Sequence, residues 1–133
     1  MSEENVDLVR RVFDAFDRGD QEEALSYADP EAELHSAVIG GAEGKVYRGH
    51  QDLRRWYAET FESFEELRFE WSEFRDLGNR VLAFGRIKLR GRESGVELDS
   101  ATGWIATVRH GKMLKAEGFL SKAEALEAAG LRE

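Results

Sequence analysis

The stretch Val81–Leu120, VLAFGRIKLRGRESGVELDSATGWIATVRHGKMLKAEGFL, decides the fold. Apolar and polar residues alternate over three runs, Val81 to Arg90, Val96 to Val108 and Met113 to Leu120, with turn residues Arg92-Glu93-Ser94 and His110-Gly111 in the breaks. Breaks this short allow only antiparallel neighbours. A four-residue loop, Gly91 to Ser94, pairs Lys88 with Glu97 and Arg86 with Asp99 on one face, and Ile87 with Leu98 and Gly85 with Ser100 on the other. A three-residue Arg109-His110-Gly111 loop then sets Thr102 against Gly118 and Trp104 against Ala116. Both hairpins put the same small side chains inside: Ala83, Gly85, Ser100, Thr102, Ala106, Ala116 and Gly118. A face meant only to fill a core would carry Val, Ile and Phe, because interiors pack to crystal-like density. The pattern therefore predicts a hollow between sheet and helices, of roughly 300 Å³ or more, the lower end of ordinary ligand sites.

Working outward, a fourth strand from Leu67 to Arg75 precedes these three. Before it, Leu53, Trp56, Tyr57, Thr60, Phe61 and Phe64 recur at helical spacing and form one aromatic-rich stripe after Gly49. Ala32, Leu34, Ser36 and Val38 alternate with Glu33, His35 and Ala37, a half-buried strand that runs into a Gly40-Gly41 loop. At the amino end, Val6, Val9, Val12, Phe13 and Phe16 mark a first helix that Gly19 stops, and Asp20 with Glu23 opens a short second one. Ser121 with Glu124 starts a last helix that ends at Gly130.

Length and composition fit one domain over residues 1–133, long enough for a sizeable core. A net charge of -8 argues against a nucleic-acid surface, which needs a basic field. The run Arg86, Lys88, Arg90, Arg92 reads as a stripe paired to acids across its hairpin. The absence of cysteine removes disulfides and thiol chemistry, and the three histidines form no metal-ligating spacing, so neither metal nor cofactor is expected. No apolar run is long enough to span a bilayer, and a start of Met-Ser-Glu-Glu gives the expectation of a cytoplasmic protein away from membranes.

The order of these elements, with the strings Tyr27-Ala28-Asp29-Pro30, Tyr47-Arg48-Gly49-His50 and Trp104-Ile105-Ala106-Thr107-Val108-Arg109-His110-Gly111-Lys112, resembles the SnoaL-like polyketide cyclase family. That family falls in the larger group similar to nuclear transport factor 2 and ketosteroid isomerase. The resemblance implies an α+β cone: a curved, mostly antiparallel sheet wrapped around N-terminal helices, with a short C-terminal helix and a pocket inside. It also implies a homodimer through the outer sheet face. Leu82, Phe84, Ile105, Met113 and Phe119 would make that face too apolar to leave wet.

Ketosteroid isomerase needs a carboxylate base and an oxyanion hole of a tyrosine and a protonated aspartate. Aligned through Asp17-Arg18-Gly19-Asp20 and the last hairpin, those oxyanion positions fall on Val12 and Trp104, and the base on His35, or on Ser36 if one residue is inserted. The isomerase apparatus is missing, and that activity is excluded. His35 remains the one candidate acid or base, although strand alternation sends it outward with Glu33 unless a bulge intervenes. Ser36, Trp56, Tyr57, Ser100, Thr102, Trp104 and Gly118 are the candidate ligand contacts, and Trp104 either fills the hollow or stacks on a ligand. Two functions stay open. One is a pocket that binds a small, mostly apolar metabolite and catalyses its isomerisation, cyclisation or hydration, and the other is a non-catalytic binding or dimeric interaction module.

Overall fold

The computed structural model describes residues 2–36 and 46–131. The Gly40-Gly41 connection and the end of the preceding strand at Ala37 and Val38 lie outside the described residues. Helix α1 (Ser2–Asp17) carries the expected apolar stripe, and Gly19, at φ +76°, takes the left-handed turn that lets the chain reverse. Asp20 then caps α2 (Gln21–Ser26) by accepting from the Glu23 amide at 3.1 Å, a bond worth about 1 kcal/mol. Strand β1 (Ala28–Ser36) starts before Pro30, which falls where the ladder to its neighbour is irregular and no amide is required. Strand β2 (Val46–Arg48) is too short for periodicity to reveal.

Helix α3 (Gly49–Ser63) passes directly into β3 (Phe64–Asp76), so Phe64, the last residue of the expected helical stripe, is already strand. The stop comes from Arg92, in the hairpin turn that follows Gly91. Its guanidinium donates to the carbonyls of Phe61, Glu62 and Phe64 at 3.1–3.3 Å, and its amide donates to Ser63 at 2.9 Å. These bonds satisfy carbonyls that a helix end leaves orphaned. Strands β4 (Arg80–Gly91), β5 (Glu97–Arg109) and β6 (Lys112–Phe119) follow, then α4 (Lys122–Ala128), capped by the Ser121 hydroxyl accepting from Glu124 at 3.0 Å.

The six strands lie in the order β2-β1-β6-β5-β4-β3. Only β1 and β6 pair in parallel, so the fold is α+β with a mixed, mostly antiparallel open sheet. Helices α1 and α3 cover its inner face. No helix among the described residues is long and apolar enough to cross a membrane.

Both hairpins keep the expected inner parity but slide by two residues. Lys88 faces Asp99 and Gly85 faces Thr102, because the first turn runs through Gly95 (φ +70°), with the Gly91 amide bonded to Val96 at 2.9 Å. Trp104 faces Gly118 and Ala106 faces Ala116, because the second turn is only His110-Gly111, both left-handed, and a bulge follows at Thr107/Val108. Charge pairing survives the slide: Arg86 reaches Asp99 at 2.9 Å and Arg90 reaches Glu97 at 3.3 Å.

The outer face corrects a second expectation. Leu82, Phe84 and Ile105, three of the apolar residues assigned to a dimer interface, are buried with Ala125 and Leu126 of α4 and with Ala129 at its C-terminal end. Gly103 makes this possible, since a Cβ there would sit 2.7 Å from the Ala125 methyl. Met113 belongs to the inner core instead, because the β6 bulge changes its parity. The C-terminal helix thus covers within one chain what a second copy was expected to cover.

Candidate functional site

The inner face is less hollow than its small residues imply. At Gly85 a Cβ would collide with the Glu70 carbonyl and Trp71 Cα, because a bulge at Trp71/Glu73 presses β3 onto it. At Gly118 a Cβ would lie 2.6–2.7 Å from Cζ2, Cε2 and Cη2 of Trp104. The indole lies flat on that glycine and fills most of the space. Trp71 is sandwiched between Phe13 at 4.7 Å and Phe69 at 5.2 Å, and both phenyl rings meet Trp104 edge-on at 6.2 and 6.1 Å. Across the site, Phe16 stacks on Trp56 at 5.3 Å and meets Tyr57 edge-on at 5.0 Å.

What remains is a cavity of about 110 Å³, well under the expected size. Its wall comes from α1 (Val12, Phe13, Phe16), α2 (Ala24, Leu25), β1 (Ala28, Ala32, Glu33, Leu34), α3 (Leu53, Trp56, Tyr57) and the inner face of the sheet (Phe69, Trp71, Trp104, Met113, Ala116). The amphipathic pattern of α1 and the alternation of β3 place these aromatics by the same logic that builds the core.

Of the residues expected at the site, Trp56, Tyr57 and Trp104 line the cavity, and Gly118 supports Trp104 from behind. Thr102 and Ser100 are not in the wall. Thr102 is buried with its hydroxyl donating to the Phe119 carbonyl at 2.8 Å, and Ser100 bonds to the neighbouring Ala101 carbonyl. Ser36 ends β1 opposite Gly118, and its side chain lies outside the described residues.

His35 is not part of the cavity wall. The pairing of β1 with β6 runs unbroken from Glu33 to Ser36, so no bulge interrupts alternation, and His35 shares its face with Glu33 rather than with Leu34. Its Nε2 lies 2.8 Å from Glu33 Oε1, while Arg48 Nε donates to the other carboxylate oxygen at 2.8 Å. These two partners hold the Glu33 carboxyl below the usual range, His35 contributing most. The base assignment to His35 is therefore withdrawn. His50 bonds to the Ala28 carbonyl at 3.0 Å, and His110 is exposed in its turn.

Sequence reasoning missed the aromatic wall of Phe13, Phe16, Phe69 and Trp71, although their spacing was visible. It also missed four buried polar atoms carried by wall residues. Trp56 Nε1, Tyr57 Oη, Trp71 Nε1 and Trp104 Nε1 are buried without a hydrogen-bond partner, and all four residues line this one cavity. Burial, and secondarily the carboxylates of Asp20 and Asp17, push the Tyr57 hydroxyl well above its ordinary pKa, so it stays protonated. The cavity surface is almost wholly apolar. With Glu33 tied to His35 and Arg48, it presents no free base. Among the described residues no group of three or more His, Asp or Glu is placed to hold a metal.

The SnoaL-like domain family matches residues 9–116. No curated protein matches the chain. Among solved structures, an NTF2-like protein of Burkholderia xenovorans LB400 superposes with a TM-score of 0.80 at 24% identity, over 96% of this chain and 97% of that one. TerC, co-crystallised with polyporic acid, gives 0.75 at 22% identity over 93% and 96% of the two chains. A putative SnoaL-like polyketide cyclase from Jannaschia sp. CCS1 gives 0.76 at 17% identity over 89% and 85%. At such identities the likeness establishes the fold. Every cavity-lining residue, from Val12 to Ala116, falls within the matched span, and the chain belongs to the SnoaL-like domain family with its NTF2-like fold.

Proposed function

We propose that the protein binds a small, mostly apolar molecule in the cavity between α1, α3 and the sheet, and acts as a binding module. The observation that carries this reading is the cavity wall, built from aliphatic and aromatic side chains of seven elements around a space of about 110 Å³. That space suits a single ring, since an apolar cavity of about 150 Å³ takes up benzene. A larger guest would have to displace side chains. The withdrawal of His35 and the engagement of Glu33 favour binding over proton transfer. Catalysis of isomerisation, cyclisation or hydration is the second reading, supported by likeness to a putative polyketide cyclase. The apolar outer patch that pointed to a dimer is covered by α4 within one chain.

Calorimetric titration with toluene and α-methylstyrene tests the proposal. Binding to the wild type, and its loss in Ala116→Leu, whose added methyl groups project into the cavity, are the expected results. No heat and no rise in melting temperature with either compound, near its solubility limit, would overturn it.

A further inference from the structure

One side chain keeps the cavity small. Trp104 lies on β5, flanked by β4 and β6, and its two cross-strand partners are Ala83 and Gly118. Thr102 and Ala106, its neighbours on the same face of β5, are small as well, and so is Ala116 opposite Ala106. The indole therefore spreads over a floor of short side chains. Three of its ring carbons would stand 2.6–2.7 Å from a Cβ placed on Gly118, and the residue is also part of the cavity wall.

The other tryptophans of the wall have different surroundings. Trp71 stands between Phe13 and Phe69, at 4.7 and 5.2 Å between ring centroids. Trp56 has Phe16 at 5.3 Å, Tyr57 at 5.9 Å and Tyr47 at 6.5 Å. A ring removed from such a cluster leaves bulky neighbours that can close in, and how far a site collapses decides what cavity persists. Beneath Trp104 there is strand backbone, bridged on both sides, with no large side chain to move in from Ala83 or Gly118. Phe13 and Phe69 meet its indole edge-on at 6.2 and 6.1 Å, and both are already engaged with Trp71. Space vacated by this indole would stay open.

Resting on the binding reading above, we infer that Trp104 is the specificity-determining residue of the cavity: its indole occupies the room that a second ring would need, so the site takes monocyclic apolar compounds and rejects fused bicyclic ones. The indole cannot step back to admit a larger guest, because it already rests on the Gly118 backbone.

Toluene and naphthalene share one aromatic ring and differ by a fused second, so the pair reads this size limit. Calorimetry on the full chain should show naphthalene binding the wild type at least about tenfold more weakly than toluene, the reverse of the order that apolar area alone would set. Trp104→Ala and Trp104→Phe, each checked for cooperative urea unfolding, should raise naphthalene affinity, by at least about tenfold in the alanine variant and several-fold in the phenylalanine one. Trp104→Phe keeps a ring in the core and carries the test if the alanine variant does not fold. Trp56→Phe, at a position flanked by other rings, should gain nothing. Wild-type binding of naphthalene as tight as that of toluene overturns this inference and leaves the binding reading standing. Equal gains in Trp104→Phe and Trp56→Phe, or a folded Trp104→Phe chain that still rejects naphthalene, do the same. If no chain in the series binds either compound, the binding reading itself fails, and this inference with it.

Discussion

Gly118→Ala tests the packing that sets the cavity size. The new Cβ would stand 2.6–2.7 Å from three atoms of the Trp104 indole, where carbon atoms prefer about 3.5–4.0 Å. The backbone cannot yield, because Gly118 is bridged to Trp104 on β5 and to Ser36 on β1. The indole must therefore retreat by about 1 Å toward the cavity it lines. Overpacking of this kind costs about 1–3 kcal/mol. Against it, replacing glycine by alanine at a position without positive φ restricts the unfolded chain, a gain of about 0.4–1 kcal/mol. A net loss of about 1 kcal/mol in urea unfolding is expected, with weaker binding of α-methylstyrene. Repeating the substitution in a Trp104→Phe background separates the two effects, since the unfolded-chain gain is the same in both while the clash shrinks with the ring. A coupling of at least about 0.5 kcal/mol should appear between the two sites. Strictly additive effects would refute the claim that Trp104 rests on Gly118 and fills the hollow.

Leu126→Ala should cost about 2–4 kcal/mol in urea unfolding, because Leu126 is buried with Leu82, Phe84 and Ile105; a loss below about 1 kcal/mol would mean that α4 does not cover this face. Arg92→Ala removes three bonds to the last turn of α3, and faster amide exchange at Ser63 and Phe64, with about 1–2 kcal/mol lost, is the expected outcome. For Tyr57, the folded-state pKa is raised, so the folded chain holds a proton that the unfolded chain releases near pH 10. Its contribution is whole below that pH and is lost as pH climbs above it. Tyr57→Phe should flatten the alkaline fall in stability, whereas an unchanged alkaline limb would place the hydroxyl in water.

The elements of the fold were legible because each rests on local chemistry. Asp20 and Ser121 cap the helices they were expected to cap, and the stripe on α1 and the alternation on β4 to β6 give the right faces, Met113 excepted. Register was not legible. A slide of two residues preserves parity, so hydrophobic patterning cannot detect it, and the deciding features were the left-handed Gly95 and a bulge beside Val108. The role of α4 was hidden for another reason. Its contacts are mostly alanines, which advertise no interface, and the room for them is made by Gly103 on a distant strand.

The site shows what a small residue can and cannot signal. Gly85, Gly103 and Gly118 all lie in the same two strand pairs, yet each is small for a different neighbour: a bulged backbone, a helix and an indole. A glycine on a sheet face marks a close approach, and the identity of whatever approaches is fixed only by the fold. The same holds for the tryptophans, which as isolated residues read as core. What distinguishes this interior is the combination. Three tryptophans and a tyrosine pack their rings around one cavity, and that packing leaves the Trp56, Trp71 and Trp104 indole N–H groups and the Tyr57 hydroxyl without a protein partner. The aromatic set is a property of the sequence before folding, and the structure makes it the apolar wall of one cavity by gathering all four rings there.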